Sequence, residues 1–264
     1  MHPPFTGAIV TGGGSGIGRA LVRALLARDV PVLAVALHAD ELATLRSDHP
    51  SPQLTTLAID LTAPGAAEHV LAAAPPFDLL INCAGLGLFG DHLALDRRAV
   101  HNLIAVNIAA LTDLCSLVGA ALVARGRGTI LNVASTASFQ PLPGLAAYAA
   151  SKHYVAAFTT ALAVELAPHG VRVCTLHPGT TRTAFLAGAG IAATPRSNRV
   201  GRLADRVAMD PDAVAEATLV ALLRGQRTIV PGRLNRLHHL LARLLPAALL
   251  SRLFARLTRE PRES

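Results

Sequence analysis

The sequence predicts an α/β fold in which helices cover both faces of a parallel sheet of about seven strands. Two observations predict it. Short apolar runs alternate with segments of helical spacing along most of the 264 residues, without an internal repeat, and strands buried on both faces have such runs. Apolar residues make up 52% of the chain and charged residues 16%, so the chain can bury a substantial core.

The predicted strands are apolar runs that end at glycine, proline or polar residues. They cover 8–10, 32–37, 54–59, 78–81, 129–133, 171–176 and 228–230. Helical spacing predicts helices after the glycine-rich turn near residue 16 and over 40–47, 96–124, 145–167 and 211–223. In such a sheet the carboxyl ends of the strands meet at one edge, where ligands bind.

The first strand runs into a glycine-rich turn, Thr-Gly-Gly-Gly-Ser-Gly-Ile-Gly, from Thr11 to Gly18. A strand, a glycine turn and a helix start together place backbone N–H groups around a pyrophosphate. Gly12 is expected to make the tight turn, Gly16 to allow close approach of a nucleotide, and Gly18 to pack helix on strand. A glycine-rich run can also be only a flexible turn, but this position favours nucleotide binding.

Tyr148 and Lys152 stand four residues apart on a predicted helix, and Lys152 is the only lysine of the chain. Positions i and i+4 share a helix face. An ammonium beside a phenol is expected to lower the pKa of the phenol from about 10, which makes Tyr148 a candidate general acid/base. A Tyr-x-x-x-Lys pair also occurs by accident, so the surrounding motifs must show whether this pair is functional.

Further small and polar residues fall where predicted strands end. They are Asp60-Leu61, Asn82-Cys83-Ala84-Gly85, Ser135 and Pro178-Gly179, and Asn107 lies in the helix 96–124. Each has a structural alternative. Asp60 can face an adenine amino group or cap the next turn, and Asn82 can form a strand-end turn. Ser135 can cap a turn, and Asn107 can be an ordinary polar position in a helix.

Together these motifs resemble the short-chain dehydrogenase/reductase family. They are Thr11 to Gly18, Asp60-Leu61, Asn82-Cys-Ala-Gly85, Asn107, Ser135, Tyr148-Ala-Ala-Ser-Lys152 and Pro178-Gly-Thr-Thr-Arg-Thr183, in the family's order over roughly residues 6–185. Cys83 replaces the second asparagine of the family's Asn-Asn-Ala-Gly. The resemblance implies a Rossmann-type doubly wound sheet and an NAD(P)-dependent oxidoreductase that interconverts a carbonyl and a secondary alcohol.

The resemblance also implies roles. Tyr148 would exchange a proton with the substrate oxygen, and Lys152 would bind the nicotinamide ribose. Ser135 would hold the substrate oxygen, and Asn107 would support a water chain to Lys152. The residues expected at the cofactor are Thr11, Gly12, Gly14, Ser15, Gly16, Ile17, Gly18, His38, Asp60, Leu61, Asn82, Ala84, Gly85, Tyr148, Lys152, Pro178, Gly179, Thr181 and Thr183. One rival interpretation is a catalytically silent nucleotide-binding protein, against which the intact catalytic set argues. Another is a membrane-associated interaction protein of the same fold that works through its basic tail.

The choice between NADP(H) and NAD(H) depends on the end of the second strand. Family members that prefer NAD usually carry an acid there, where this chain has Ala36. Many that prefer NADP carry arginine at the next position, which is Leu37 here, or a basic residue at the position of Ser15. His38 is the nearest polar group. Because no carboxylate at Ala36 would repel a 2′-phosphate, the sequence favours NADP(H) and leaves NAD(H) open.

The three cysteines, Cys83, Cys115 and Cys174, are sparse and have no metal-ligand spacing, so we expect a reducing compartment and no metal. Residues 1–6 lack a signal-peptide pattern, and no uninterrupted apolar run reaches the ~18 residues that span a bilayer. We therefore expect a cytoplasmic protein. Its net charge of +7 comes entirely from residues 217–264, where aromatic residues are almost absent, so nucleic acid is not the expected partner.

The chain is expected to form one catalytic domain, 1–232, with a basic amphipathic tail, 233–264. The leucines of the tail recur at helical spacing with arginines beside them, and Pro246 should split the tail into two helices. The tail either packs over the substrate pocket or a subunit contact, or lies on a membrane. Both interpretations suit an apolar, lipid-like substrate. This chain also resembles a branch of the family that has such tails and includes reductases of lipid-like carbonyl compounds.

The resemblance also implies a homodimer or homotetramer. Apolar residues such as Leu103, Leu111 and Val155 either pair between its subunits or form intramolecular core.

Overall fold

The computed structural model of the protein describes residues 4–190 and 205–258. Its seven strands form one parallel sheet in the order β3-β2-β1-β4-β5-β6-β7. The strands are β1 Ala8–Thr11, β2 Val32–Ala36, β3 Leu54–Ala58, β4 Leu79–Asn82, β5 Gly128–Val133, β6 Val171–Leu176 and β7 Thr228–Ile229. The predicted Rossmann-type doubly wound sheet is confirmed, with every predicted strand present to within two residues at each end.

Helices cover both faces of the sheet. They are α1 Gly16–Leu26, α2 Ala39–Asp48, α3 Ala66–Ala73, α4 Arg97–Ile104, α5 Leu111–Ala124, α6 Ala146–Leu166, α7 Phe185–Gly188, α8 Pro211–Leu223, α9 Arg233–Leu244 and α10 Ala247–Thr258. One core layer lies under α1, α2 and α8 and includes Leu21 and Leu219. The other lies under α3, α5 and α6 and includes Leu114 and Val155.

Two helices differ from the sequence prediction. Helix α3 was not predicted, because its alanine-rich sequence shows no clear apolar periodicity. In the structure only Ala66 and Val70 of this helix are buried. The single helix predicted over 96–124 is interrupted by a π-helical turn, Ala105–Ala110. A π turn inserts one extra residue in the helical repeat and often occurs at functional sites.

The helical stretch Arg97–Ala124 is, by length and composition, apolar enough to cross a membrane. In the fold it packs with Leu114, Val118 and Leu122 against the sheet. Its apolar composition is therefore accounted for by the core. Leu103 and Leu111, which the sequence left open as subunit contact or core, are 1% and 5% exposed in the single chain and belong to the intramolecular core.

The predicted split of the tail at Pro246 is confirmed, because α9 ends at Leu244 and α10 begins at Ala247. Arg259 and the remaining tail residues to 264 lie outside the described residues. Helix α9 packs on the segment after β5 through an aromatic contact, in which the ring centres of Phe139 and His239 are 4.3 Å apart. Helix α10 donates a hydrogen bond of 3.0 Å from Ser251 Oγ to the carbonyl of Pro141. The tail therefore packs on the same edge of the sheet as the strand ends.

Candidate active site

The sheet order opens a crevice between β1 and β4. These neighbouring strands continue to strands on opposite sides, β2 and β5, and ligands bind at such a switch point. Thr11 Oγ1 accepts hydrogen bonds from the backbone N–H groups of Cys83, at 3.0 Å, and Ala84, at 3.1 Å. The bonds tie the ends of the two strands together, with Gly85 following directly.

The glycine-rich turn forms one wall of the crevice. Gly12 and Gly16 have φ of 66° and 53°, a region that favours glycine. A methyl group on Gly18 would overlap the carbonyl of Gly12, which agrees with its expected role in helix packing. Ser15 is exposed directly before α1, whereas Ile17 packs against the core. The turn therefore offers backbone groups and a helix N-terminus to an anionic ligand.

The segment after β6 meets this turn from across the crevice. A Cβ on Gly16 would lie 3.3 Å from Thr183 Cγ2. Thr183 Oγ1 donates to the carbonyl of Thr181 at 3.5 Å, and Thr181 Oγ1 donates to the carbonyl of Gly179 at 3.1 Å. Pro178 is buried beside them. The fold thus brings together two motifs that are about 160 residues apart in sequence.

Tyr148 and Lys152 share one face of α6, and Lys152 Nζ lies 5.9 Å from the centre of the Tyr148 ring. Burial raises the pKa of Tyr148 above its ordinary value of 10.0, and a hydrogen bond with the Ser135 side chain opposes this effect. The prediction that the ammonium lowers this pKa is wrong for the structure, because desolvation of the phenolate outweighs the favourable partners. At neutral pH Tyr148 is a neutral phenol.

Lys152 is 5% exposed and donates a hydrogen bond of 2.9 Å to the carbonyl of Val133. Burial lowers the pKa of Lys152 to about 8, and the nearby Cys83 opposes this effect. Burial also raises the pKa of the Cys83 thiol to about 11. At neutral pH, therefore, the lysine is mainly an ammonium and the thiol is neutral, so the pair forms no ion pair.

Asn107 lies in the π turn and is 1% exposed. Its Oδ1 accepts from the backbone N–H of Leu86 at 2.8 Å, and its Nδ2 donates to the carbonyl of Leu86 at 2.9 Å and to Ser151 Oγ at 3.0 Å. A Cβ on Gly85 would lie 3.3 Å from Asn107 Oδ1 and 3.4 Å from Lys152 Nζ. Gly85 therefore sits between the two predicted catalytic side chains.

Two predicted cofactor residues make contacts within the protein. Asn82 Nδ2 donates to Asn132 Oδ1 at 2.9 Å inside the sheet. Asp60 Oδ1 accepts from the backbone N–H of Thr62 at 2.8 Å, and this bond lowers the pKa of Asp60. The structure thus has the turn-capping alternative for Asp60. Leu61 packs against the core.

An acidic side chain of α2 lies near the end of β2, and the sequence did not point to it. Ala36 is buried, and His38 is the exposed residue before α2. A Cβ on Gly14 would lie 2.6 Å from Glu41 Oε2 and 3.1 Å from Ala36 Cβ. Glu41, one turn into α2, therefore reaches back to the glycine-rich turn. Only its position in space could reveal this, because it lies five residues beyond the strand end.

Residues 6–191 match the family described as short chain dehydrogenase. The chain belongs to the short chain dehydrogenase family. Members are NAD(P)-dependent oxidoreductases of carbonyl and alcohol groups, and so is this enzyme. L-xylulose reductase of Bos taurus is 32% identical to it over 229 residues, which are 85% of this chain and 91% of that protein. Carbonyl reductase [NADPH] 2 of Sus scrofa is 32% identical over 226 residues, or 84% and 90% of the two chains.

A solved structure supports the same assignment. The short-chain dehydrogenase from Sphingobium yanoikuyae in complex with NADPH superposes on this dehydrogenase with a TM-score of 0.76. The two chains are 28% identical, and the match covers 97% of each. The similarity therefore extends beyond residue 191 into the tail region, although it does not show that the tail defines a branch of the family.

In this dehydrogenase, sequence reasoning missed a group that supports Ser135. Ser138 Oγ donates to the carbonyl of Ser135 at 2.5 Å, and His177 Nδ1 lies 2.9 Å from Ser138 Oγ and 3.3 Å from that carbonyl. The hydroxyl has one proton, so Nδ1 carries the proton and donates it. Burial lowers the pKa of His177 to about 4, so the ring stays neutral. The only sequence signal was the position of His177 before Pro178.

Proposed function

We propose that this dehydrogenase reduces an apolar carbonyl compound to a secondary alcohol with NADPH, and that Tyr148 donates the proton. The observation that supports this most is the neutral Tyr148 phenol, which faces the Ser135 hydroxyl at the open edge of the sheet. A proton donor at neutral pH must carry its proton, and a phenol already does so at its ordinary pKa of about 10.

Different residues of the chain bind the substrate oxygen, donate the proton and hold the cofactor. The Ser135 hydroxyl and the Tyr148 phenol bind the substrate oxygen together, and the phenol gives its proton to that oxygen as charge develops there. When bound, the nicotinamide supplies the hydride. The glycine backbone at Gly12, Gly16 and Gly85 suits a dinucleotide lying across it. Lys152 holds a positive charge next to this surface, and Asn107 positions the helix turn that contains Tyr148 through Ser151, whose Oγ donates to the carbonyl of Tyr148 at 2.7 Å.

The surroundings of Tyr148 support an apolar substrate. The ring of Phe185 is centred 5.6 Å from the Tyr148 ring. A Cβ on Gly87 would lie 2.8 Å from that Phe185 ring, and the preceding Leu86 is 38% exposed. An apolar wall binds alkyl or aromatic groups and leaves hydroxyl groups without partners. The substrate would therefore differ from L-xylulose, the polar compound in the name of the Bos taurus relative.

The proposed function is tested by following NADPH oxidation with a matched panel of long-chain ketones and ketoses. We expect kcat/KM to be at least about tenfold higher for the apolar ketones, since one apolar group in a fitting pocket contributes about 1–3 kcal/mol. Phe185→Ser should reduce this ratio, whereas Phe158→Ser, at an α6 ring that stacks on Tyr154 rather than on Tyr148, should leave it unchanged. Equal rates for both classes would contradict the apolar assignment, and no turnover of either would contradict the reductase assignment.

The preference for NADPH rests on the end of β2. Buried Ala36 places no charge there, and His38 precedes the N-terminus of α2, where a helix favours negative charge. Glu41 acts against a 2′-phosphate, because its half-buried side chain reaches back to Gly14. The preference should therefore be modest and in favour of NADPH.

Ala36→Asp should reverse this preference. A carboxylate at this position repels the 2′-phosphate of NADPH and accepts hydrogen bonds from the ribose hydroxyls of NADH. We expect the ratio of NADPH to NADH dissociation constants to rise by about tenfold or more, measured by fluorescence titration. Ala39→Asp, at the exposed start of α2, is the control for charge alone. A strong NADH preference of the unmodified enzyme would contradict the assignment.

A homodimer or homotetramer in the cytoplasm stays our prediction for the assembled enzyme. The long helices leave Ile104 and Val164 43% and 69% exposed, and these residues, rather than Leu103 and Leu111, would carry a subunit contact. Sedimentation of Val164→Asp against the unmodified enzyme tests this.

A further inference from the structure

Helix α9 packs on the catalytic domain with its less apolar side. Asn235, His238, His239 and Ala242 are half-buried and follow the i, i+3, i+4, i+7 spacing of one helix face. Asn235 Nδ2 donates to the carbonyl of Pro231 at 2.7 Å, and its amide fills the space beside Gly179. The inner face of the helix is therefore made of amide and imidazole groups.

The leucines of α9 consequently point outward. The exposed fractions are 68% for Leu234, 53% for Leu237, 55% for Leu240, 44% for Leu241 and 71% for Leu244. This arrangement is the reverse of an ordinary surface helix, whose apolar side faces the core. It also differs from a leucine lid over the pocket, one of the two arrangements that the sequence allowed.

Helix α10 extends the same surface. Its inner side contains Leu250 and Ser251, while Leu249 and Leu253 are 53% and 52% exposed. Arg252 and Arg256 are exposed on this outer side. We call the outward leucines of α9 and α10 the leucine face, and exposed apolar patches of this kind mark protein or membrane contacts.

Charge decides which partner fits the leucine face. Among the tail arginines whose exposure the structure describes, Arg233, Arg236, Arg252 and Arg256 are exposed. The sequence has no aspartate or glutamate from 217 to 258. A second copy of this face would bring arginines against arginines without a counter-charge. The headgroups of an anionic bilayer supply that counter-charge, and its acyl region accepts the leucines.

We propose that the leucine face docks on the surface of an anionic lipid bilayer. The inner side of the same helices rests on Phe139, Pro141 and Gly179, which follow Ser135 and β6. Docking would place the catalytic edge about one helix diameter, ~10 Å, from the lipid. Resting on the proposed function, we infer that the apolar carbonyl substrate is one dissolved in the bilayer.

The test is flotation of the full-length enzyme with vesicles of phosphatidylcholine, with and without phosphatidylglycerol. We expect binding only to the vesicles with phosphatidylglycerol, weakened by high salt. Arg252→Gln with Arg256→Gln should weaken binding about 25-fold, about fivefold for each arginine. Leu237→Gln with Leu244→Gln should weaken it about tenfold or more, because two buried leucines are lost.

Matched controls lie elsewhere on the surface. Leu223→Gln changes a leucine that is 51% exposed on α8, and Arg97→Gln with Arg98→Gln removes two exposed arginines of α4; neither should change flotation. The proposal is overturned if the unmodified enzyme stays with neither vesicle, or if the controls weaken binding as much as the tail variants. It is also overturned if the leucine pair changes the subunit number in sedimentation instead, because the face would then contact a second copy. Turnover of a water-soluble ketone without vesicles tests the oxidoreductase function separately.

Discussion

Tyr148→Phe should lower kcat by about 10²–10⁴-fold, the usual contribution of a positioned general acid or base, while NADPH binding and the melting temperature stay close to those of the unmodified enzyme. The substitution removes one hydroxyl and keeps the ring, so the contact with Phe185 at 5.6 Å remains. Because the variant has no hydroxyl, it also loses the proton that the substrate oxygen would receive. Single-turnover rates at saturating cofactor measure the effect.

Tyr154→Phe is the matched control for this prediction. Tyr154 is the other tyrosine of the chain and lies on the same helix. Its hydroxyl is 3.0 Å from Thr112 Oγ1, on the outside of the fold. We expect less than a twofold change in kcat for this control. If Tyr148→Phe kept more than about a tenth of the rate, which is above the range for general acid/base loss, another group would have to supply the proton.

Much of this fold could be predicted from local sequence. Strands buried on both faces need continuous apolar runs, so each strand could be located in the sequence, and the glycine pattern located the turn at the end of β1. The catalytic groups could be located for a similar reason. Chemistry restricts the residue types at such positions, as it does for Tyr148 and Lys152, and their spacing already places them on one helix face.

What the sequence could not predict depends on contacts between distant residues. The pKa of Tyr148 is set by burial, which a four-residue spacing does not reveal. The orientation of the tail depends on which side of α9 fits against Gly179 and Phe139, and hydrophobic periodicity alone points to the opposite side. Similarly, the hydrogen bonds of Asp60 with Thr62 and of Asn82 with Asn132 could not be predicted from spacing, because the partner of Asn82 lies 50 residues away in sequence.

Lys152→Met should remove catalysis and at the same time make the protein more stable. We expect a loss of turnover similar to that of Tyr148→Phe, because the charge that binds and orients the reacting groups is gone. The pKa of Lys152 is about 8 in the fold, against an ordinary value of 10.5. Carrying this buried ammonium at neutral pH therefore costs about 3 kcal/mol of folding free energy. Losing the hydrogen bond from the charged ammonium to Val133 offsets about 1.5–3 kcal/mol of the gain, so unfolding should require up to about 1.5 kcal/mol more.

The stability difference between Lys152→Met and the unmodified enzyme should depend on pH. Since folding lowers the pKa of Lys152, the cost is fully present below about pH 8 and is relieved as the pH rises from about 8 to the unfolded value of 10.5. The stability difference between Lys152→Met and the unmodified enzyme should therefore shrink across this interval in urea unfolding. Over the same interval kcat/KM of the unmodified enzyme should fall, because the ammonium is lost.

Thr160→Met, on the exposed side of α6, is the control and should change stability by less than about 0.5 kcal/mol at every pH. A Lys152→Met variant that is less stable than the unmodified enzyme at pH 7 would mean that the lysine is held by the fold as a favourable contact, and the cost assigned to its burial would be wrong.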